Sequence, residues 1–251
     1  MARRHPDNPR PQRRPAGPWR NGPIPVIGLV GGIGAGKSLA ASAFVGRGAF
    51  LLDADAIGHT LLEQSPSRDR VLARFGESVL EPIGEVEGVR RAIDRRVLGA
   101  IAFSNPGSLR DLETILHPTM RRTFEKAIKR ESRHARYPAI VLDAAILYEA
   151  DWDSLCDLVV FVDAAPEIRL ARLEAARGWT AETLAAREKS QGPLEEKRRD
   201  ADHILTNDGT PEEFRAAAEA LWPALLKPHG RRRDSVATAA ASAESRGHRP
   251  H

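Results

Sequence analysis

Short runs of apolar, often β-branched residues recur along the chain and alternate with segments in which apolar residues repeat at helical spacing. Short apolar runs bounded by turn residues are typical of buried strands, and longer amphipathic segments are typical of helices. A chain in which the two alternate favours an α/β fold with a doubly wound parallel sheet. The five predicted strands are the apolar run that opens residues 24–38 and the runs at 49–55, 137–143, 158–163 and 202–207.

Residues 60–137 contain no strand pattern and are predicted to be mostly helical. An insertion of this kind between the second and third strands predicts a helical subdomain that covers one side of the site. It contains Leu116-His117-Pro118, and a lone histidine in such a position is more often structural than functional. The segments with apolar residues at helical spacing are 63–76, 90–103 and 109–133.

The first apolar run leads into a glycine-rich loop, Gly31-Gly32-Ile33-Gly34-Ala35-Gly36-Lys37-Ser38, and then into a predicted helix. Strand, glycine loop and helix are the context of a phosphate-binding loop with the pattern G-x-x-x-x-G-K-[ST]. Glycines let several backbone N–H groups face one phosphate, and the helix that begins near Gly36 adds its own free N–H groups. Lys37 is placed to reach the β- and γ-phosphates, and the Ser38 hydroxyl is placed to bind Mg²⁺. The alternatives are a glycine-rich turn with a chance lysine and a dinucleotide-binding loop, whose glycine spacing differs.

Acidic residues stand where the second and third predicted strands end. Ligands gather at the carboxyl ends of strands in an open parallel sheet, so an acid there faces a nucleotide held by the first loop. Asp55 is predicted to accept or align the proton of an attacking hydroxyl, while Asp53 either caps the next helix or holds a water molecule. Asp143 has a functional and a structural interpretation. In the first it binds Mg²⁺ through water or orients the substrate, and in the second it is a helix cap or a surface acid.

A basic helical hairpin follows the fourth predicted strand. It carries Arg169, Arg172 and Arg177, and Gly178-Trp179-Thr180 separate its two helices. Arginines on a mobile helical lid can stabilise charge on a transferring phosphoryl group and help to exclude water. Any one of these arginines is more often part of a solvated face, but the cluster favours the lid of a nucleotide kinase.

The chain of 251 residues has a formal net charge of +4, and much of this surplus lies at its ends, residues 1–22 and 227–251. Both ends have the composition of disordered tails, whereas the middle is close to charge-balanced, so no specific nucleic-acid partner is expected. The single cysteine, Cys156, excludes an intramolecular disulfide and fits a reducing compartment. No run is long enough to span a membrane, and the basic N-terminus lacks a signal-like apolar segment, which together predict a cytoplasmic protein.

Taken together, several of these patches resemble the dephospho-CoA kinase family over about residues 24–226. The resemblance implies one kinase domain at 23–226, with a helical acceptor-binding insertion at about 60–135 and a lid at about 172–197. It also implies ATP and Mg²⁺ as cofactors and phosphorylation of the 3′-hydroxyl of dephospho-CoA, the last step of coenzyme A synthesis. The matching patches are Gly31–Ser38, Asp53-Ala54-Asp55, Leu116-His117-Pro118, Leu147-Tyr148-Glu149, Gln191, Ala201-Asp202, Asn207 and Gly209.

The resemblance further implies roles for individual residues. Asp55 is the expected base, and Lys37 and Arg172 are expected to stabilise the phosphates, while Asn207 is expected near the adenine of ATP. The acceptor is expected to contact His117, Asp143, Leu147 and Glu149. The expected nucleotide site comprises Gly32, Ile33, Gly34, Ala35, Gly36, Lys37, Ser38, Leu39 and Asn207, with Ser38 as the metal ligand.

The chain departs from the family pattern at three positions. Leu39 stands where threonine is usual, which leaves the Mg²⁺ role of Ser38 intact. Ala145 replaces the usual proline after the acid of the third strand. The second lid arginine falls on Ala176, and Arg177 lies one position later.

Two alternative functions remain open from the sequence. Another nucleoside or nucleotide kinase would share the core and lid and would differ in the subdomain around His117. A nucleotide-binding regulator without a small-molecule acceptor is the other class. Such regulators often carry a guanine-reading Asn-Lys-x-Asp loop, which the sequence lacks.

Overall fold

One five-stranded parallel sheet organises the part of the chain that the computed structural model describes, residues 18–82, 91–189 and 191–228. The strand order is β2-β3-β1-β4-β5, which confirms the doubly wound α/β fold predicted from the alternating pattern. The strands are β1 (Val26–Gly31), β2 (Phe50–Asp53), β3 (Ile140–Asp143), β4 (Leu158–Asp163) and β5 (His203–Thr206).

Helices connect the strands and cover both faces of the sheet. In the insertion between β2 and β3, a short 3-10 helix, Glu77–Val79, lies between two of them. The α-helices are α1 (Lys37–Gly46), α2 (Ala54–Leu62), α3 (Ser67–Phe75), α4 (Arg95–Ser104), α5 (Pro106–His134), α6 (Pro166–Arg177), α7 (Ala181–Glu188), α8 (Leu194–Asp200) and α9 (Pro211–Leu225).

The central strand β1 is buried on both faces, because helices cover the sheet on each side. Ile27 and Leu29 point into a core built with α1 and α9, in which Phe44 stacks on Trp222 at 5.5 Å between ring centroids. The alternate side chains of β1 enter a second core, built with α2 and α5. A rigid strand held between two cores gives the loop that follows it a fixed starting point.

The carboxyl ends of the strands lie together at one edge of the sheet. Asp143 is in register with Asp53 of β2 and with Leu29 of β1. On the other side of β1, Val162 of β4 is in register with Gly31. The phosphate-loop motif therefore opens at the centre of this edge, with the acids of β2 and β3 on one side of it.

The insertion has its own small core, but its helices differ in detail from those predicted. The expected helix over 63–76 is wrong at its start, because α2 runs on to Leu62 and α3 begins only after Pro66. The expected helix over 109–133 begins earlier, at Pro106, because Asn105 caps it by accepting the Ser108 N–H at 2.8 Å. The core residues of the insertion include Leu62, Val71, Val79, Ile93, Leu98 and Ile115.

The folded part extends beyond the expected N-terminal boundary at residue 23. The backbone N–H of Arg20 donates to Asp157 Oδ1 at 2.8 Å, and the Asn21 side chain donates to the Leu155 carbonyl at 3.1 Å. The rest of the expected tails, residues 1–17 and 229–251, lies outside the described residues. In the described ranges, no helix combines the length and apolarity that crossing a bilayer requires.

Candidate active site

The loop between β1 and α1 has the geometry of an anion cradle. Gly34 and Gly36 have φ of 78° and 101°, which glycine adopts without strain. Gly36 is also the N-cap residue of α1, so no side-chain oxygen covers the first helical N–H groups. The turn is closed by the Ala35 N–H, which donates to the Gly32 carbonyl at 3.1 Å. Within the described residues, the N–H groups of Gly34 and Gly36 have no protein acceptor, so they are free to bind phosphate oxygens.

Lys37 and Ser38 follow the loop at the first turn of α1. The Lys37 ammonium lies 3.9 Å from Asp143 Oδ1, and both side chains are mostly buried. Ser38 is exposed at the same helix end, where its hydroxyl can reach a metal ion held by phosphate oxygens. No group of three or more His, Cys, Asp or Glu in the described ranges forms a metal site by itself.

Burial raises the pKa of Asp143 above its usual value, and the negative charges of Asp53 and Asp55 raise it further, while Lys37 opposes the shift. Asp143 thus has one ammonium beside it, that of Lys37, and two carboxylates near enough to repel its negative charge. A divalent cation bound to phosphate oxygens near these acids would relieve the repulsion, so the residues present fit Mg²⁺.

The structure separates the roles of the two acids after β2. Asp53 is the N-cap of α2 and accepts the Ala56 N–H at 2.9 Å. Asp55 lies in the first turn of α2, is exposed, and has no hydrogen-bond partner in the described part of the chain. Its carboxylate is therefore available to a ligand, whereas that of Asp53 is occupied by the cap.

His117 lies in the middle of α5, next to a proline that removes one helical N–H donor. Its ring contacts Trp152 edge-on at 5.1 Å, and burial lowers its pKa. A histidine that is neutral near pH 7 can donate one hydrogen bond and accept another, but it adds no positive charge for a phosphate.

Of the residues in the loop after β3, Glu149 reaches solvent and Leu147 does not. Leu147 is fully buried and packs so closely on Gly28 that a Cβ there would lie 2.7 Å from Leu147 Cδ2. The side chain of Leu147 therefore packs in the core, and its contact with an acceptor stays a prediction. Glu149 lines a cavity of about 490 Å³ between this loop and α8.

Lys197 holds that loop in place and was missed as a functional residue from the sequence. Its side chain is 4% exposed, and its ammonium contacts Glu149 Oε1 at 2.6 Å and the Ala145 carbonyl at 2.9 Å. Lys197 lies on the same face of α8 as Leu194 and the buried Ala201. This helical spacing could have shown that the lysine faces the protein interior.

Arg172 and Asn207 form a second cluster on the opposite side of β1. Asn207 is buried and donates to the Ala35 carbonyl at 2.7 Å, so it supports the phosphate loop from behind. Arg172 Nη2 donates to the Asn207 carbonyl at 3.0 Å and to Asn207 Oδ1 at 3.2 Å. Its Nη1 is buried without a partner in the described ranges.

Arg177, next to the position of the missing second arginine, contacts an aromatic ring. Arg177 is exposed, and its guanidinium lies over the Trp179 ring, 5.5 Å from the centroid. The same ring contacts Arg187 at 5.6 Å. Arg177 is thus part of an aromatic contact within the lid hairpin.

Comparisons with known proteins agree with this geometry. The family model described as CoaE, dephospho-CoA kinase, matches residues 25–213. Dephospho-CoA kinase from Symbiobacterium thermophilum is 41% identical over 208 residues, which are 82% of this chain and 83% of the relative. The corresponding Anaeromyxobacter dehalogenans protein is 36% identical, with 82% of this chain and 95% of that protein covered.

Solved structures give the same result at the level of the fold. The crystal structure of TT1252 from Thermus thermophilus superposes with a TM-score of 0.65 at 31% identity, over 82% of this chain and 99% of that one. Dephospho-CoA kinase from Campylobacter jejuni, at 23% identity and a TM-score of 0.57, shares the fold over 79% of this chain and 95% of that one. The chain belongs to the dephospho-CoA kinase family.

Proposed function

We propose that this protein transfers the γ-phosphoryl group of ATP to the 3′-hydroxyl of the ribose of dephospho-CoA. The carrying observation is the arrangement at the edge of the sheet, where Lys37 of the phosphate loop lies 3.9 Å from Asp143. This contact supports a complex in which a triphosphate held by the loop would lie beside the carboxyl groups at the ends of β2 and β3. Phosphoryl transfer needs mainly such positioning together with neutralisation of charge.

The nucleotide would lie across β1 from the Arg172 side to the Lys37 side. Backbone N–H groups of the loop, among them those of Gly34 and Gly36, would hold the phosphates together with Arg172, and Asn207 would border the adenine. Lys37 would leave Asp143 and bind the β- and γ-phosphates. Mg²⁺, when bound by Ser38 and phosphate oxygens, supplies neutralisation of charge on the transferring group.

The acceptor would lie on the side of β2 and β3. Asp55, exposed and without a protein partner in the described ranges, would accept the proton of the attacking 3′-hydroxyl. Asp143 would orient the metal through water, and His117 and Glu149 would border the acceptor. We also propose that residues 60–135 bind the acceptor and that residues 172–197 form the lid.

Two competing functions have specific weaknesses. Another nucleoside kinase would use the same core, but the family match extends over the insertion that distinguishes acceptors. A regulator without an acceptor would give no role to an unpaired carboxylate beside the cradle. The cytoplasmic location and the lack of a specific nucleic-acid partner stay predictions.

A turnover assay tests the proposal directly. Purified protein with ATP and Mg²⁺ is offered dephospho-CoA, adenosine, AMP and shikimate in separate reactions, and ADP release is followed together with product mass. We expect coenzyme A from dephospho-CoA and no product from the others. Turnover of another acceptor in preference to dephospho-CoA would support the first alternative, and nucleotide binding without any product would support the second.

A further inference from the structure

Arg169, in the first turn of α6, is a buried arginine that the roles above do not use. Its side chain has three acceptors at three different elements. Nε donates to the Ala164 carbonyl at 3.2 Å, and Nη1 donates to the Ile33 carbonyl at 3.3 Å. Nη1 also forms an ion pair with Glu188, the last residue of α7. Only 6% of Arg169 is exposed, so the charge is removed from solvent and depends on these partners.

The guanidinium lies directly against the first half of the phosphate loop. A Cβ on Gly32 would be 2.9 Å from Arg169 Nη1 and 3.1 Å from Leu194 Cδ1. A Cβ on Gly34 would be 3.0 Å from the Arg169 carbonyl. The loop is therefore enclosed between α6 and α8, and no gap separates the arginine from the loop backbone.

The bond to the Ile33 carbonyl fixes the direction of an anion-binding N–H group. A trans peptide places its C=O and N–H on opposite sides, and the Ile33 carbonyl shares its peptide plane with the Gly34 N–H. Since Arg169 holds that carbonyl on the side of α6, the Gly34 N–H faces the opposite way. This N–H has no acceptor in the described part of the chain, as a phosphate-binding donor requires.

The bond to Glu188 extends the same contact to the lid hairpin. Glu188 is the last residue of α7, and its carboxylate pairs with the Arg169 guanidinium. The other hydrogen bonds of that guanidinium go to the phosphate loop and to the residue after β4. Any movement of α7 away from the loop must therefore break a largely buried ion pair. Losing one partner of such a pair is costly because the other charge is left without compensation.

We propose that Arg169 is a positioning residue for the phosphoryl transfer proposed above, on which this inference rests. It holds the Ile33–Gly34 peptide in its phosphate-binding orientation and, through Glu188, ties the lid helix α7 to the phosphate loop. Nucleotide binding to the phosphate loop then also stabilises the position of α7.

Direct binding of ADP without acceptor is the first test. Arg169→Gln keeps a polar side chain but cannot reach all three acceptors, so we expect ADP affinity to fall about tenfold, the loss of roughly one charge-assisted hydrogen bond. Arg169→Lys should recover part of this loss, because one ammonium can still bond the Ile33 carbonyl. The KM for dephospho-CoA should stay within about twofold, which separates a cradle effect from general damage.

Arg199→Gln is the matched control, because Arg199 is exposed on α8 and pairs only with the adjacent Asp200 in the described ranges. Its ADP affinity should equal that of the unaltered protein. ADP binding by Arg169→Gln within twofold of the unaltered protein, measured where both are folded by circular dichroism, overturns the positioning role. If Arg169→Gln does not fold, the same criterion applies to Arg169→Lys, for which we expect a loss of about threefold.

Hydrogen exchange tests the tie to the lid. Glu188→Gln leaves the bonds from Arg169 to the loop intact, so ADP affinity should stay within twofold, but ADP should no longer protect the amides of 181–188. If ADP still protects these amides in Glu188→Gln, the ion pair does not connect α7 to the phosphate loop. A different result would reject the proposed function: the unaltered protein binds ADP but phosphorylates no dephospho-CoA. An active enzyme with unchanged ADP binding in Arg169→Gln rejects only the inference about Arg169.

Discussion

Lys37 Nζ lies 3.9 Å from Asp143 Oδ1, so the phosphate loop and the end of β3 are joined by opposite charges. Lys37 can move to phosphate oxygens when a nucleotide is present, and Asp143 is then left facing Asp53 and Asp55. Burial and the two neighbouring carboxylates favour the protonated form of Asp143, and the Lys37 ammonium opposes this effect. In the proposed reaction, a nucleotide that draws Lys37 to its phosphates would therefore also change the charge balance around Asp143.

Replacing Asp143 by asparagine should make the enzyme require more Mg²⁺. The amide cannot supply negative charge to a hydrated metal ion, so the Mg²⁺ concentration for half-maximal rate should rise and kcat should fall by about 10²-fold. The measurement is a Mg²⁺ titration of initial rates at saturating ATP and dephospho-CoA. Asp69→Asn, at an exposed position of α3, is the control and should keep both values. An unchanged Mg²⁺ requirement in Asp143→Asn would remove the metal-orienting role.

A methyl group at Gly36 should disable the cradle. Gly36 has a φ of 101°, and a Cβ there would overlap Asn207 Nδ2, which bonds the Ala35 carbonyl behind the loop. Gly36→Ala should therefore cost about 1–3 kcal/mol of stability from strain and weaken ADP binding strongly. Urea unfolding and calorimetry measure the two effects.

Gly46→Ala is the matched control for this change. Gly46 is the last residue of the same helix, and a Cβ there would meet nothing within 4 Å. Since alanine restricts the unfolded chain more than glycine does, stability should stay equal or rise by about 0.4–1 kcal/mol. Equal losses in the two variants would mean that the crowding at Gly36 has no effect.

His117 should make the fold less stable in acid. Burial lowers its folded pKa below the usual 6.5, so the unfolded chain binds more protons than the folded one once the pH falls below about 6.5. Stability should decrease from that pH down through the folded pKa. In His117→Gln this contribution is absent, so its free energy of unfolding should drop less between pH 7.5 and 5.5.

Urea unfolding at pH 8.5, 7.5 and 5.5 checks this prediction. Between pH 8.5 and 7.5 the two proteins should change in parallel, because a histidine of lowered pKa stays neutral in both states there. A parallel change between pH 7.5 and 5.5 as well would contradict the assignment of a buried, neutral His117.

Local patterns were sufficient to predict most of the framework. The predicted β4, 158–163, matches its observed bounds, and the phosphate loop could be identified because its chemistry is contained in eight consecutive residues. The alternatives for Asp53 could not be separated from the sequence, since the cap depends on where α2 begins.

The remaining features depend on contacts between distant parts of the chain. Arg169 contacts the Ile33 carbonyl and Lys197 contacts Glu149, and no local pattern shows that these residues meet. Leu147 belongs to a patch that suggested an acceptor contact, yet its packing on Gly28 can be known only from the fold. Packing and long-range charge pairs therefore decide which residues of a motif face the ligand.

In the proposed reaction, the exposed carboxylate of Asp55 removes the proton of the acceptor hydroxyl. Asp55→Asn keeps the size of the side chain, so ADP affinity should stay within about twofold while kcat falls by about 10²–10⁴-fold, the range of general-base contributions. Steady-state rates with dephospho-CoA and calorimetry with ADP on the same preparation give both numbers. A kcat within about threefold of the unaltered enzyme, below that range, would contradict the account.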